Sequence, residues 1–384
     1  MKKILVVTTR PLESNTSSTI RKISTIEALL EEGADISVLT THNSYDLENT
    51  PETLENIKTI RINPGVFYKT GIQTQRTATR LNRVKRVLRR VYYKFSVYDP
   101  LKNSIKNVMA VKNELDNHYD IILSISDPKS SHLLAIDIIN RGIVTCDKYI
   151  QIWGDPMYLD ITNTTLIPKI FIKHEEKKII EKADKIYYVS PLTLREEQKT
   201  FPKSANKMDV LIPLCKDTRK YKNVEKIKKL GYFGDYNSDI RDIKPLYNAI
   251  ENSEYELIIC GNSDIVLEEK DNIKINKRLP YKTIKKLESE VDMLIHLSNN
   301  KGTQIPGKIY QYFGTNKAIL FILDGDSEAI VEFFEPLNRV VFSDNRAEDI
   351  IKKISDYNRS LIKTENTPIT KYDSKYYKEK ILDI

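Results

Sequence analysis

The chain has 384 residues, of which 40% are hydrophobic and 9% aromatic, and this apolar content excludes a disordered chain. It contains 12 glycines and 15 prolines, too few for a collagen-like or low-complexity sequence. Length alone suggests two domains, because single hydrophobic cores stop growing near about 250–300 residues. Cys146, Cys215 and Cys260 lie far apart and beside no pair of histidines. The sequence therefore predicts no disulfide framework, no metal site and a location in the reducing cytoplasm.

Lysines and arginines number 61 against 53 aspartates and glutamates, so the formal charge is +8. One segment without an acidic residue accounts for this whole surplus: Arg76, Arg80, Arg83, Lys85, Arg86, Arg89, Arg90 and Lys94. A positive surplus confined to one segment predicts one anionic partner that binds at that segment. It argues against nucleic acid as the partner, since no nucleic-acid-binding motif accompanies the charge.

Residues 1–212 alternate short apolar runs with helical patterns. The predicted strands cover residues 4–7, 36–39, 58–62, 121–126, 149–153 and 186–189. The predicted helices cover residues 18–32, 76–115 with an interruption near Asp99-Pro100, 130–140, 166–182 and 192–200. Gly33 stands where the glycine that ends a helix belongs.

A helix over residues 76–95 would carry apolar residues on one face and basic residues largely on the other. In one interpretation this helix packs on the core and its basic face is solvated. In the other it docks on an anionic membrane surface, where each basic residue contributes about 1 kcal/mol. The predicted membrane contacts are then Arg76, Arg80, Arg83, Arg86, Arg90 and Lys94.

The same alternation restarts after residue 228. The predicted strands here cover residues 230–233, 257–260, 293–297, 318–323 and 339–342, and the predicted helices 243–250, 282–290, 308–313, 327–334 and 347–357. We predict a first domain over 1–212, a linker over 213–228 and a second domain over 229–365. Residues 366–384 are predicted to form a C-terminal helical tail, with an isolated helix beyond the second sheet.

Near-continuous apolar strands that alternate with helices predict an α/β fold with two doubly wound parallel sheets, each in a Rossmann-like domain. Ligands of such sheets bind at the carboxyl ends of the strands. We expect the two domains to face a central cleft, and a cleft of this kind favours an enzyme.

The most informative segment joins the predicted strand over 293–297 to the helix that begins at Lys308. Pro306 ends the loop, Gly307 lacks a side chain at the turn, and Lys308 places a cation in the first helical turn. A helix N-terminus with such a cation suits a diphosphate, although an ordinary loop–helix junction with a solvated lysine is the alternative.

The run Pro306-Gly307-Lys308-Ile309-Tyr310-Gln311-Tyr312, followed by Lys317-Ala318-Ile319-Leu320, resembles the donor-site segment of family-4 glycosyltransferases, which have the GT-B fold. That segment usually reads Pro-x-Lys-x-x-Glu-Tyr and then Gly-Lys-Pro-Val-Leu. Lys3–Thr40 is similar to the family's opening strand, loop, helix and second strand. Tyr232-Phe233-Gly234 with Arg241 is similar to the start of its donor domain.

The resemblance implies a nucleotide-sugar donor, with a UDP-sugar as the first expectation, held by the second domain without a cofactor or metal. Gln311 replaces the family's ribose-binding glutamate, which removes the charge-assisted hydrogen bonds of a carboxylate. Asn316 replaces the usual glycine, and Ala318 the usual proline. The implied donor-binding residues are Gly234, Arg241, Ser298, Thr303, Pro306, Gly307, Lys308, Tyr310 and Gln311.

In the first domain, the loop after the first strand matches a glycine-rich loop of the family that lies beside acceptor and donor. Serines and a threonine replace the glycines here, and capping of the following helix is the alternative role for them. Trp153, at a strand end, is predicted to stack on a sugar, with a place in the core as the alternative. The predicted acceptor contacts are Arg10, Ser17, Ser18, Thr19, Arg21, Trp153 and Asp155.

Ser126-Asp127-Pro128 stands where the family has a histidine, and the first glutamate of its paired-glutamate motif is absent. Three interpretations remain: a divergent retaining enzyme, an inverting enzyme that uses Asp127 or His132 as its base, or a catalytically silent subunit. Asp127 is the first candidate, with capping of the next helix as its alternative role.

The sequence thus predicts a hexosyltransferase-type glycosyltransferase of bacterial surface polysaccharide synthesis. Its expected acceptor is a glycan or a lipid-linked saccharide at the inner face of the membrane. A nucleotide-sugar epimerase of similar fold is the enzymatic alternative.

Overall fold

The computed structural model describes residues 1–14, 16–42, 55–65, 91–92, 94–215, 221, 224–325 and 327–384. The chain divides into two compact units. The first unit comprises Met1–Ile212 with Ser374–Ile384, and the second comprises Pro213–Asp373. Five of the predicted membrane contacts, Arg76, Arg80, Arg83, Arg86 and Arg90, lie outside the described residues.

The first unit contains a seven-stranded parallel sheet in its described part. Its strands are β1 (Lys3–Val7), β2 (Asp35–Thr41), β3 (Lys58–Ile62), β4 (His118–Ile125), β5 (Thr145–Trp153), β6 (Lys185–Tyr188) and β7 (Met208–Val210), in the order β3-β2-β1-β4-β5-β6-β7. Ile4, Leu5, Val6 and Val7 are fully buried, because helices cover both faces of a parallel sheet.

Among its described residues, the helices of the first unit are α1 (Ser17–Glu31), α2 (Ser130–Asn140), α3 (Lys169–Ile180) and α4 (Pro191–Thr200), with 3₁₀ helices at Pro100–Glu114 and Pro202–Lys207 and a C-terminal helical segment over Ser374–Tyr377 and Lys378–Leu382. The side chain of Thr16 caps α1, accepting a hydrogen bond from the Thr19 N–H. Gly33, with φ of +79°, ends the helix as predicted. Asp99 interrupts the long predicted helix, since its carboxylate accepts from the Leu101 N–H and Pro100 begins a new turn.

The described residues of the second unit form a six-stranded parallel sheet. Its strands are β8 (Lys229–Phe233), β9 (Glu256–Cys260), β10 (Ile273–Asn276), β11 (Met293–Leu297), β12 (Ala318–Leu323) and β13 (Val341–Asp344), in the order β10-β9-β8-β11-β12-β13. Its helices are α5 (Lys244–Glu251), α6 (Tyr281–Glu290), α7 (Lys308–Phe313), α8 (Ser327–Phe334) and α9 (Ala347–Asn358), with a 3₁₀ turn at Glu335–Leu337.

The first six strands of each unit therefore follow the same order, 3-2-1-4-5-6, and the predicted fold class is confirmed. Sequence patterning missed β7 and β10. Both are short, with three and four residues, and each mixes polar with apolar side chains, so neither carries the apolar run of a buried strand.

The C-terminal segment departs from the prediction of an isolated tail. Ser374–Ile384 packs with the first unit, where Tyr377 and Ile381 are buried. The Ile212 N–H donates to the Tyr376 hydroxyl at 3.1 Å, and the Ser374 hydroxyl donates to Glu32 at 2.8 Å. Buried apolar contacts and hydrogen bonds at long sequence separation hold this segment, and such contacts have no local signature.

No helix in the described part of the chain combines the length and the apolar character that crossing a membrane requires.

Candidate active site

The strand order of each sheet reverses at its first strand. β1 lies between β2 and β4, and β8 lies between β9 and β11. Loops that leave such a point in opposite directions open a crevice at the carboxyl ends of the strands, where ligands bind. We call the loops after β1, β4 and β5 the first edge, and the loops after β8 and β11 the second edge.

At the first edge, α1 fixes the main chain of Asp127. The Ser18 hydroxyl donates to the Asp127 carbonyl oxygen at 2.9 Å and accepts from the Asp127 N–H at 3.1 Å. The Lys22 ammonium donates to the same carbonyl oxygen at 2.5 Å. Burial and the nearby charge of Arg10 lower the pKa of Lys22 well below its ordinary value. Ser18, predicted to contact the acceptor, instead positions Asp127.

The carboxyl groups of Asp127 and Asp155 form a hydrogen-bonded pair. Burial, together with the charge of Asp127, raises the pKa of Asp155 to about 7. Burial also acts to raise the pKa of Asp127, but the ion pair with Lys129 and the hydrogen bond from Asp155 hold it well below its ordinary value. Below about pH 7 the pair therefore holds one proton, on the Asp155 side, and it loses that proton as the pH rises through this value.

This carboxyl pair is accessible to a ligand. The Asp127 side chain is 21% exposed, and the Lys129 ammonium, which pairs with it, also lies 3.7 Å from Asp160. A carboxyl pair that exchanges a proton near pH 7 is suited to general acid–base chemistry on a hydroxyl group.

Gly154 brings the Arg21 guanidinium to this pair. A Cβ atom on Gly154 would lie 2.1 Å from Arg21 Nη2 and 3.1 Å from Asp127 Oδ2, so a larger residue would displace Arg21. Arg21 also donates to the Ser126 carbonyl oxygen at 3.4 Å, and the Gly154 N–H donates to the Ser126 hydroxyl at 3.0 Å. The predicted acceptor contacts Arg21 and Asp155 thus meet the predicted catalytic residue Asp127.

His132 and Trp153 are corrections to the sequence prediction, since both side chains are fully buried. Their rings stack with centroids 4.3 Å apart, His132 Nδ1 shares a hydrogen bond with the Ser124 hydroxyl, and Trp153 Nε1 donates to Gln151. Burial lowers the pKa of His132 to about 3. A base or a sugar platform must reach the ligand, so His132 and Trp153 have neither predicted role.

The remaining predicted acceptor contacts divide between structural and surface positions. Thr19 is buried, and its hydroxyl hydrogen-bonds to the capping residue Thr16 at 2.9 Å. Arg10 is half-buried, and its carbonyl oxygen accepts from Thr40. Ser17 is exposed at the start of α1. Thr19 therefore serves the fold, whereas Arg10 and Ser17 retain exposed surface near the first edge.

At the second edge, Arg241 links the ends of β8 and β11. Its Nη1 donates to the Asp235 carbonyl oxygen at 2.7 Å, while Nε and Nη2 donate to Asn299 Oδ1 at 3.1 and 2.6 Å. The Asn299 amide in turn donates to the Gln304 carbonyl oxygen at 2.9 Å. The guanidinium is thus held in one orientation before any ligand arrives, which lowers the entropic cost of binding.

Gly234, a predicted donor contact, lies against Gly261, a glycine that the sequence did not single out. A Cβ atom on Gly261 would lie 1.9 Å from the Gly234 carbonyl oxygen, an impossible contact, whereas one on Gly234 would make an ordinary 3.4 Å contact with Tyr232. The Gly234 N–H also donates to the Cys260 carbonyl oxygen at 3.0 Å. Gly261 therefore allows the ends of β8 and β9 to meet.

Lys308 belongs to a buried ion-pair cluster with Glu288 and Lys285 of α6. Lys308 Nζ lies 2.7 Å from Glu288 Oε1, and Lys285 Nζ lies 2.9 Å from Glu288 Oε2. Burial acts to raise the pKa of Glu288, but the two ammonium groups outweigh it and hold the pKa below its ordinary value. Lys308 Nζ also donates to Gln311 at 3.3 Å, and its side chain is 21% exposed. The cluster therefore carries a net positive charge with Lys308 at its exposed side.

The other predicted donor contacts have mixed positions. The Ser298 hydroxyl donates to the Asp324 carbonyl oxygen and accepts from the Asp324 N–H, so it fastens β11 to the loop after β12. Tyr310 is a correction, because its ring is buried against Phe313 and Phe334 and cannot contact a donor. Thr303, Pro306 and Gly307 are half-buried in the loop that leads to Lys308. A Cβ atom on Gly307 would meet nothing within 4 Å, so space is open there.

Sequence reasoning missed several residues because their partners are distant in the chain. Besides Glu288, Lys285 and Lys22, these include Glu176 of α3, whose carboxylate accepts from the Met157 and Tyr158 N–H groups at 2.8 Å each. Glu176 thereby holds the loop that follows Asp155. The one sequence signal for Glu176 was a charged residue on the otherwise buried face of its helix, which indicates a partner in the interior.

In the described part of the chain, a single group of three potential metal ligands occurs: His118, Asp120 and Asp147. These residues lie near the amino ends of β4 and β5, opposite the first edge, and two of them are exposed.

No protein-family model matches the sequence, and no curated protein matches it. Among solved structures, the Anabaena Alr3699/HepE complex with UDP and glucose is similar with a TM-score of 0.65 and 12% identity, over 100% of this chain and 99% of that chain. The lipopolysaccharide outer core galactosyltransferase WaaB gives a TM-score of 0.59 and 12% identity, over 100% and 99%. A putative UDP-N-acetylglucosamine 2-epimerase from Listeria monocytogenes gives 0.56 and 14%, over 99% and 94%.

These similarities cover both units, and their low identities establish the fold alone. The chain has a two-domain Rossmann-like fold of the GT-B type, as the sequence predicted.

Proposed function

We propose that this protein is a glycosyltransferase that moves a sugar from a nucleotide-sugar donor to a hydroxyl group of a saccharide acceptor. The observation that carries the proposal is the pair of cationic groups at the second edge. Arg241, held in one orientation, follows β8, and the positively charged Lys308 cluster follows β11, where the strand order reverses. Two cations at this position suit a diphosphate. The UDP complex of the structurally similar HepE supports a UDP-sugar as the donor.

In the proposed reaction, the bond between the anomeric carbon and the diphosphate oxygen breaks, and the acceptor oxygen bonds to that carbon. Arg241 and Lys308 stabilise the negative charge that develops on the departing diphosphate, so the reaction needs no metal ion. We propose retention of configuration on the strength of the family-4 resemblance, with the acceptor proton passing to the Asp127–Asp155 pair of the first edge.

The proposed acceptor is a glycan or lipid-linked saccharide in bacterial surface polysaccharide synthesis. Its hydroxyl group is expected at the first edge, near Asp127, Asp155 and Arg21. The similarity to WaaB, a lipopolysaccharide galactosyltransferase by name, supports both this acceptor class and a hexosyl group as the transferred sugar.

A panel of UDP-, GDP- and dTDP-sugars tests the proposal through hydrolysis and through the rise of the unfolding temperature. We expect one UDP-sugar to be hydrolysed slowly and to stabilise the protein. Arg241→Ala and Lys308→Ala should weaken this binding, while Arg346→Ala, a change at an exposed arginine of the same unit, should not. If no nucleotide sugar binds, the chain is a catalytically silent subunit and the proposal is wrong.

A nucleotide-sugar epimerase is the second candidate, favoured by the similarity to the Listeria protein. Incubation with UDP-N-acetylglucosamine and no acceptor separates the two, since an epimerase yields a second sugar with an inverted centre. A transferase yields UDP and free sugar at a low rate, and NMR of the products distinguishes these outcomes.

A further inference from the structure

The first unit exposes an unusual group of large apolar side chains. Five of them, each between 46% and 67% exposed, come from two short segments of the chain, and we call them the apolar patch: Val91, Phe95, Leu166, Ile170 and Phe171. Single exposed apolar residues are common on protein surfaces, but a group of this size marks an interaction surface.

Hydrogen bonds fasten the two segments together. The Leu166 N–H donates to the Lys94 carbonyl oxygen at 2.7 Å, and the Thr165 hydroxyl donates to the same oxygen at 3.1 Å. Further along the first segment, the Tyr98 hydroxyl donates to Glu175 of α3 at 3.2 Å. The end of the helical turn at Phe95 therefore lies beside the residues that lead into α3, so the two apolar groups occupy neighbouring positions on the first unit.

Within each segment the apolar side chains lie close to one another. Val91 and Phe95 are one helical turn apart, since the Phe95 N–H donates to the Val91 carbonyl oxygen at 3.2 Å. Ile170 and Phe171 occupy the first turn of α3, where the Phe171 N–H donates to the Pro168 carbonyl oxygen at 2.9 Å. Val91 with Phe95, and Ile170 with Phe171, therefore each lie within one helical turn, while Leu166 precedes α3.

The charges that border the patch are positive. Lys94 and Lys169 are exposed, and the ammonium groups of Lys169 and Lys173 lie 5.9 and 5.5 Å from the centre of the Tyr158 ring. The nearest acidic residues of α3 are engaged, since Glu175 pairs with Lys178 and Glu176 is buried. In sequence, the basic segment over residues 76–90 directly precedes Val91.

We propose that the apolar patch inserts into the surface of an anionic lipid bilayer, with the bordering lysines at the lipid headgroups. Apolar side chains are stabilised when they leave water for the boundary of the acyl chains. The apolar stem of a lysine reaches from that depth to the lipid phosphate groups. A second copy of this chain fits less well, because two such faces would bring charges of the same sign together. The inference stands independently of the proposed function, since bilayer binding needs neither donor nor acceptor.

Sedimentation with lipid vesicles tests the proposal on the full chain. We expect the protein to sediment with vesicles that contain phosphatidylglycerol and to remain in solution with pure phosphatidylcholine vesicles. The variant Phe95→Ser/Leu166→Ser/Phe171→Ser should bind at least about tenfold more weakly. The matched control Val266→Ser/Leu361→Ser, at two exposed apolar residues of the second unit, should bind as the unmodified protein does.

A charge variant tests the lysines separately. Lys94→Glu/Lys169→Glu should weaken binding by about tenfold or more, because each basic residue near an anionic surface contributes about 1 kcal/mol and each reversal adds repulsion. Lys352→Glu/Lys363→Glu, with the same change of net charge in the second unit, should have little effect. Unfolding temperatures should be unchanged in all variants, since every substituted side chain is exposed.

Three results would overturn the proposal. The first is equal vesicle binding by the patch variant and its control. The second is equal binding to both lipid compositions. The third is a dimer in solution that the patch substitutions dissociate, together with no vesicle binding, which would assign the patch to self-association.

Discussion

The two edges occupy equivalent positions in sheets of the same strand order, yet they hold opposite chemistry. The first edge gathers the carboxyl groups of Asp127, Asp155 and Asp160 around Lys129. The second edge presents Arg241 and Lys308, with their charge balanced in part by a buried Glu288. Topology therefore determines where a ligand can bind, and the loops and helix faces determine which ligand it is.

The edges also differ in how they respond to pH. The first edge changes charge near neutrality, because the Asp127–Asp155 pair holds a proton with a pKa of about 7. The second edge keeps its charge over the same range, since the pKa of Glu288 lies below its ordinary value. The proposed proton transfer thus belongs to the first edge, and the proposed phosphate binding to the second.

The largest effect is expected for Asp127→Asn. Loss of this carboxylate should lower the transfer rate by about 10²–10⁴-fold, the range of general acid–base catalysis, and leave UDP affinity at the second edge unchanged. Transfer assays and calorimetry with UDP measure the two quantities. Asp137→Asn, at a surface ion pair of α2, is the control and should change neither. A loss of UDP affinity in Asp127→Asn would contradict the separation of roles.

The converse is expected for Arg241→Ala, which should weaken UDP binding by about 10- to 100-fold. A hydrogen bond to a charged group contributes about 1.5–3 kcal/mol, and the guanidinium is fixed before binding. Calorimetry measures the change, with Arg346→Ala as the control. At saturating donor, titration of the Asp127–Asp155 pair should be unaltered, and a shift of that pKa would show that the edges are coupled.

A smaller effect of the same kind is expected for Glu288→Gln. Without the carboxylate, Lys308 loses its 2.7 Å partner and its orientation, so the Michaelis constant for the donor should rise by about 10- to 30-fold with little change in the turnover number. The matched control is Glu290→Gln, at an exposed position of the same helix. Equal Michaelis constants for the two variants would remove Glu288 from the positioning of Lys308.

The pH dependence of transfer tests the first edge without a mutation. Because the raised pKa of Asp155 keeps the pair protonated below about 7, a pair that accepts a proton becomes active as pH rises. The rate should increase about tenfold between pH 6 and pH 8, and Asp155→Asn should abolish this step. Donor affinity should stay constant over the step. A step that persists in Asp155→Asn would place the titration elsewhere.

The smallest effect on activity is expected for Trp153→Phe. Loss of the hydrogen bond from Nε1 to Gln151 should lower the free energy of unfolding by about 1–3 kcal/mol, because it leaves a buried acceptor unpaired. The Michaelis constant for the acceptor should not change, since the ring is fully buried. Chemical denaturation and acceptor titrations measure these quantities, and a raised Michaelis constant would restore the sugar-platform role.

Local patterning was sufficient to predict most of the elements. β11, α7 and β12 have the predicted limits, because apolar runs and the Pro306-Gly307-Lys308 junction are short-range signals. The site was predicted less completely. Asp127, Arg241 and Lys308 were predicted from their places after strands and in motifs, and they lie at the two edges, whereas His132, Trp153 and Tyr310 proved to be core residues.

The sequence by itself determined the alternation of strands and helices, the two-domain α/β class and the approximate places of the candidate residues, because these depend on neighbours in the chain. The tertiary structure decided which candidates have exposed surface and which charges meet. Asp155 acquires its raised pKa from Asp127, and Lys308 its orientation from Glu288. Both effects arise between residues that are distant in sequence and adjacent in space, and no local pattern encodes such a contact.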